Sequence, residues 1–121
     1  MKTVIITGST SGIGLGIAES FATAGYNVVL NGLGDEAEIE ATRARLASLG
    51  AGDVIFHGAN MLKPEEIADL VVSAEKHFGS VDVIVPNAGI QHVAKIEDFP
   101  IAKWDAIIAI NMNSAYHCTA A

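Results

Sequence analysis

A chain of 121 residues with seven Lys and Arg against fourteen Asp and Glu has the length of one domain and a net charge of −7, which argues against a nucleic-acid partner or an anionic membrane. Half of its residues are hydrophobic, yet Pro, Asn, Gly or a charge breaks every apolar stretch short of the roughly 18 residues a membrane span needs. The hydrophobic content therefore belongs to a core.

Met1-Lys2-Thr3 runs directly into Val4-Ile5-Ile6, without the apolar stretch of about 7–15 residues that a signal peptide requires. A cytoplasmic address is expected. The single Cys118 has no Cys or His at metal spacing, so no disulfide and no metal site is expected, and the residue reads as helix packing.

Thr3-Val4-Ile5-Ile6-Thr7 is a short β-branched run that ends at glycines, the pattern of a strand buried on both faces. Ile13, Ile17 and Phe21, with Ala18 and Ala22 beside them, predict an amphipathic helix closed by Gly25. Val28-Val29-Leu30 is the second strand. Asp35 with Glu38 three residues on opens a helix through Ile39, Thr42, Leu46 and Leu49 to Gly50.

Val54-Ile55-Phe56 makes a third strand, and Pro64-Glu65-Glu66 starts a helix with a stripe of Ile67, Leu70, Val71, Ala74 and Phe78, closing at Gly79. A fourth strand spans 81–85 and ends at Pro86-Asn87-Ala88-Gly89. Two more helical stretches follow, around 101–110 and from about 112, and Trp104, Phe99 and Ile101 read as a packed face. Strands alternating with helices predict an α/β, doubly wound parallel sheet with the four strands in the order 3-2-1-4.

Thr7-Gly8-Ser9-Thr10-Ser11-Gly12-Ile13-Gly14 joins the first strand to the first helix, where backbone amides and a helix N-terminus can cradle a pyrophosphate. Nothing matches a phosphate-binding loop ending in Gly-Lys-Ser/Thr, so an ATPase reading has no anchor. The four histidines, His57, His77, His92 and His117, show no ligand spacing.

The turn Thr7–Gly14, the Asn87-Ala88-Gly89 after the fourth strand and the later Asn111 together resemble the short-chain dehydrogenase/reductase family, over the whole 121 residues in order and spacing. The resemblance implies a Rossmann-type domain that binds a nicotinamide dinucleotide. It implies cofactor contacts from Gly8, Thr10, Ser11, Gly12, Ile13, Gly14, Leu33, Asn60, Met61, Asn87, Ala88 and Gly89, and a catalytic role for Asn111 in holding a water that relays protons.

Within that family, Asn87 to Val93 and Leu30 to Asp35 look like the bacterial 3-hydroxybutyrate dehydrogenases. That likeness implies a small 3-hydroxy acid substrate whose carboxylate meets Gln91, and a homotetramer. NAD is expected over NADP, because no Lys or Arg lies between Lys2 and Arg43 to meet a 2′-phosphate, while Asn31 or Asp35 can serve a free hydroxyl. The family's adenine-contacting Asp is replaced by Asn60, whose carbonyl can still accept a hydrogen bond. Pro86 replaces a usual Asn and removes a backbone donor.

The family's Ser and Tyr-x-x-x-Lys are absent: four positions after Tyr26 and Tyr116 stand Leu30 and Ala120, so no lysine can lower either phenol's pKa. The expectation is an NAD-binding domain over 1–121, truncated at its C-terminal side, with an exposed strand edge prone to self-association. The alternatives are a dinucleotide-binding or self-associating fragment without catalysis, and a sensor of the NAD/NADH ratio.

Overall fold

A computed structural model describes residues 1–89 and 94–121. The first strand β1 (Thr3–Ile6) leads to helix α1 (Gly12–Thr23), β2 (Asn27–Leu30), α2 (Glu36–Ala47), β3 (Val54–Phe56), α3 (Pro64–Phe78) and β4 (Val83–Val85). The described strands form one sheet in the order β3-β2-β1-β4, with every pairing parallel and Ile5 opposite both Val29 and Ile84. The expected doubly wound arrangement is therefore present.

Alternation along each strand builds two hydrophobic layers. Val4, Ile6, Val28, Leu30 and Val54 face α1 and α2, where they meet Ala18, Ala22 and Leu46. Ile5 and Val29 point the other way, onto Met61, Ile67, Leu70, Val71 and Ala74, and onto Cys118. Sheet residues buried on both faces explain why β1 reads as a continuous apolar run rather than an alternating one.

Local chemistry sets the helix ends. The Asp35 carboxylate accepts from Glu38 N at 3.1 Å and caps α2, as the spacing predicts, although α2 stops at Ala47 rather than reaching Gly50. Gly79 closes α3 with φ 89°, and its N–H donates to Glu75 O.

Beyond a 3-10 turn at Ile96–Asp98 come α4 (Ile101–Ile108), a π-helical segment over Ala109–Asn113 and α5 (Ser114–Ala120). Here one expectation fails. Trp104 is 55% exposed and Ile101 78% exposed, so the periodic face of α4 does not enter the core; Trp104 instead meets Phe99 edge-on at 5.9 Å. Tyr116 is also exposed. Among the described residues no helix is long and apolar enough to cross a membrane.

Candidate cofactor-binding site

The turn after β1 is held from both sides. Asn87 Nδ2 donates to Thr7 O at 3.2 Å and to Gly8 O at 3.1 Å, and Ala88 N donates to Thr7 Oγ1 at 3.0 Å, so the end of β4 closes onto the turn. On the β2 side, Gly8 N donates to Asn31 Oδ1 at 3.2 Å, and Ser9 N to Asn31 O at 2.6 Å. Gly8 adopts φ 63°, which a Cβ disfavours, and a Cβ there would also lie 2.9 Å from Ala88 Cα.

Helix α1 begins at the far side of this turn. Among the described residues Ser11, its N-cap, makes no side-chain cap, and the first turn carries no acid, so the positive end of the helix dipole and its leading amides are left for an anion. A Cβ on Gly14 would overlap the Gly8 carbonyl oxygen and crowd Asn87 Nδ2. The glycine is what lets the helix start this close to the turn.

Beside the turn lies a cleft of about 170 Å³ lined by Thr10, Ser11, Leu33, Gly34, Asp35 and Glu38, with Ile39 and Thr42. Leu33, 82% exposed, stands at its wall, and Thr10 Oγ1 donates to Leu33 O at 3.3 Å, tying the loop after β2 to the turn. Two carboxylates, Asp35 and Glu38, give the cleft negative charge. Arg43, the next cation along the chain, is turned elsewhere: Nε and Nη2 meet the Glu40 carboxylate at 2.8 and 2.6 Å, and Nη1 donates to Val54 O at 3.1 Å. The hydrogen bond with Arg43 holds Glu40 below the usual carboxylate range, and the guanidinium is raised in turn.

The loop after β3 is equally bound. Asn60 N donates to Glu66 Oε1 at 3.0 Å, and Asn60 Oδ1 accepts from Leu62 N at 2.9 Å, which leaves that oxygen one lone pair for a further donor. The Met61 side chain packs into the core layer under α3. His57 Nε2 and Asp69 Oδ2 are 2.7 Å apart, while His57 Nδ1 accepts from Ala59 N.

Gly8 to Gly14, Leu33, Asn60 and Asn87 to Gly89 thus lie around the ends of β1, β2, β3 and β4, where α/β sheets of this kind bind ligands. Asn111 belongs to the π-helical segment, and its Oδ1 lies 3.3 Å from where a Cβ on Gly89 would be. Gln91 and His92 lie outside the described residues. A larger hollow of about 390 Å³ among Ala94, Ile96, Phe99, Ile101 and Trp104 has no charged side chain in its wall among the described residues. No group of three or more potential metal ligands occurs among the described residues.

Sequence reasoning missed Ser9 and misassigned Asn31. Asn31 or Asp35 was expected to serve a ribose hydroxyl, and of the two the Asn31 side chain is buried and bonded within the protein. The available signal was a polar residue following directly on Val28-Val29-Leu30, since a buried amide must find partners.

A family model for short chain dehydrogenase matches residues 2–121. The chain belongs to the short-chain dehydrogenase family. It is 53% identical over 116 residues to a D-beta-hydroxybutyrate dehydrogenase of Rhizobium meliloti, covering 96% of this chain and 45% of that protein. It is 55% identical over 119 residues to a D-beta-hydroxybutyrate dehydrogenase of Cupriavidus necator, covering 98% and 45%. A solved double mutant of a Serratia marcescens short-chain dehydrogenase/reductase superposes with a TM-score of 0.92 at 25% identity, covering 98% of this chain and 48% of that one. This short-chain dehydrogenase chain therefore spans about 45% of the length of the curated relatives it matches. The family uses a nicotinamide dinucleotide and acts on small substrates.

Proposed function

We propose that residues 1–121 are the cofactor-binding domain of an NAD-dependent 3-hydroxybutyrate dehydrogenase, an oxidoreductase that moves a hydride between a small 3-hydroxy acid and NAD, acting as a cytoplasmic homotetramer. The observation that carries this reading is the Thr7–Gly14 turn. It is pinned between Asn31 and Asn87 and faces an uncapped helix start, a shape that only glycine at position 14 permits. The identity to two D-beta-hydroxybutyrate dehydrogenases supports the substrate class.

In this reading Gly8, Gly12 and Gly14 shape the pyrophosphate turn, with Ile13 at the opening of α1 beside it. Thr10 and Ser11 flank the phosphates. Leu33 and the cleft beside it receive the adenosine ribose, and Asn60 bounds the adenine side together with the backbone of Met61, whose side chain is in the core. Asn87 to Gly89 border the nicotinamide, Gln91 takes the substrate carboxylate, and Asn111 stands next to Gly89 to hold water. When bound, NAD supplies the hydride acceptor; these residues bind and orient. Neither tyrosine of the chain has a lysine four positions on, so proton transfer is assigned to no side chain within residues 1–121, and this chain alone is expected to be inactive.

NAD is chosen over NADP by charge. A 2′-phosphate entering the cleft meets Asp35 and Glu38, the cap of α2 is already filled by the Asp35 carboxylate, and Arg43 is committed to Glu40 and Val54. The test is the full-length protein with D-3-hydroxybutyrate, followed by the near-ultraviolet absorbance of the reduced nicotinamide. Reduction of NAD+ and not of NADP+ is expected. Binding of NAD+ without turnover of the hydroxy acid would overturn the substrate assignment.

A further inference from the structure

Asn31 closes β2 with its side chain only 1% exposed. Its amide uses every donor it has: Nδ2 donates to His57 O and to Ala59 O, each at 3.0 Å, while Oδ1 accepts from Gly8 N at 3.2 Å. One donor on one side and two carbonyls on the other leave a single orientation for the amide. The backbone of the same residue is locked to the turn as well. Asn31 N donates to Ser9 Oγ at 3.0 Å, Asn31 O accepts from Ser9 N at 2.6 Å, and Ser9 Oγ donates to Ile6 O at 2.7 Å.

We propose that Asn31 is a positioning residue that fixes the distance between the turn receiving the pyrophosphate and the loop bordering the adenine, so that the phosphate and the adenine of the cofactor's AMP half meet a preset spacing. The inference rests on the function proposed above. The loop after β3 starts on the sheet, where His57 N donates to Leu30 O at 2.9 Å, and beyond that point it is otherwise anchored toward α3, through His57 to Asp69 and through Asn60 N to Glu66. Losing Asn31 therefore leaves that loop folded and joined to β2 at His57, while its Ala59–Asn60 stretch is no longer held in register with the turn.

Asp at this position separates the two arms. An Asp side chain keeps an acceptor for Gly8 N, but ionised it has no donor for His57 O and Ala59 O, and protonated it has one donor for the two. Leu removes both arms and keeps the branching of the side chain, with two bulkier methyl groups in place of the amide oxygen and nitrogen.

The experiment titrates the full-length protein, wild type, Asn31→Asp and Asn31→Leu, with NAD+, 5′-AMP and nicotinamide mononucleotide. In Asn31→Asp, affinity for NAD+ and 5′-AMP falls about tenfold, as expected for a buried polar arm left unpaired, and affinity for the mononucleotide is unchanged; Asn31→Leu weakens all three. Equal loss of all three ligands in Asn31→Asp, or loss of none, overturns the proposal. Hydrogen exchange of the unliganded wild type provides a check that needs no variant to fold: the Gly8 amide exchanges slowly, and rapid exchange there overturns the proposal too. A wild type that does not bind NAD+ refutes the proposed function, and the positioning role with it. A wild type that binds while Asn31→Asp matches it refutes the positioning role alone.

Discussion

Asn87 Nδ2 lies 3.1 Å from the carbonyl oxygen of Gly8, and the space a Cβ on Gly14 would take is bounded by these same two groups. Helix α1, the turn and the end of β4 are thereby packed at backbone distance, with no room for a side chain among them. Gly14→Ala forces the helix start away from the turn at a cost of about 1–3 kcal/mol for overpacking, and Gly14→Val adds two methyls. Calorimetric titration of the full-length protein is expected to show weakened NAD+ binding for Ala and none for Val. Wild-type affinity in Gly14→Val would remove the turn from the site.

The junction of β1 and β4 also depends on one hydroxyl. Thr7 is fully buried, and its Oγ1 accepts from Ala88 N at 3.0 Å. Thr7→Val keeps the branched shape that suits the strand and leaves that backbone amide without its acceptor, which costs about 1–3 kcal/mol. Urea unfolding should show the loss in Thr7→Val and a smaller one in Thr7→Ser, which retains the oxygen. Equal midpoints for the two variants would show that Ala88 N–H does not rely on Thr7.

Cofactor choice is expected to respond to the cleft's charge. Leu33 stands exposed at its wall opposite Asp35 and Glu38, so Leu33→Arg places a guanidinium where a 2′-phosphate enters. Combined with Asp35→Ser, which keeps a side-chain cap for α2 and removes one negative charge, it should shift the ratio of kcat/KM toward NADP+. The measurement is that ratio in the full-length protein. No movement in it would place the adenosine ribose outside this cleft.

The strand order was legible because each strand is a short β-branched run between turn residues and each helix carries a start or stop signal, Asp35 for α2 and Gly79 for α3 among them. The turn was legible because its glycines sit between a strand and a helix. The fate of α4 was not. Spacing of Ile101, Trp104 and Ile108 reveals that a helix has an apolar face and says nothing about whether a neighbour covers it, and here Ile101 and Trp104 stay exposed. The task of Asn31 was hidden for a related reason: its partners are the backbone groups of Gly8, His57 and Ala59, which carry no side-chain signature. The π-helical turn over Ala109–Asn113 was equally silent, since Ala-Ile-Asn-Met-Asn holds neither Pro nor Gly to mark a break.

Cys118 is buried against the α3 side of the sheet, and burial pushes its thiol pKa upward. Less thiolate means slower alkylation, because the thiolate is the nucleophile. Iodoacetamide labelling of the folded protein at mildly alkaline pH is expected to be slow and to accelerate with urea in step with unfolding. The same shift couples to stability: above the ordinary thiol range near about 8.5, the unfolded chain releases this proton while the folded chain retains it, so the unfolded state binds fewer protons and stability falls as pH rises. Below that range the contribution is fully present. Cys118→Ala should flatten the alkaline limb of the unfolding midpoint against pH. Rapid labelling of the folded protein, or an unaltered alkaline limb in the variant, would mean that α5 opens from the sheet and leaves Cys118 in water.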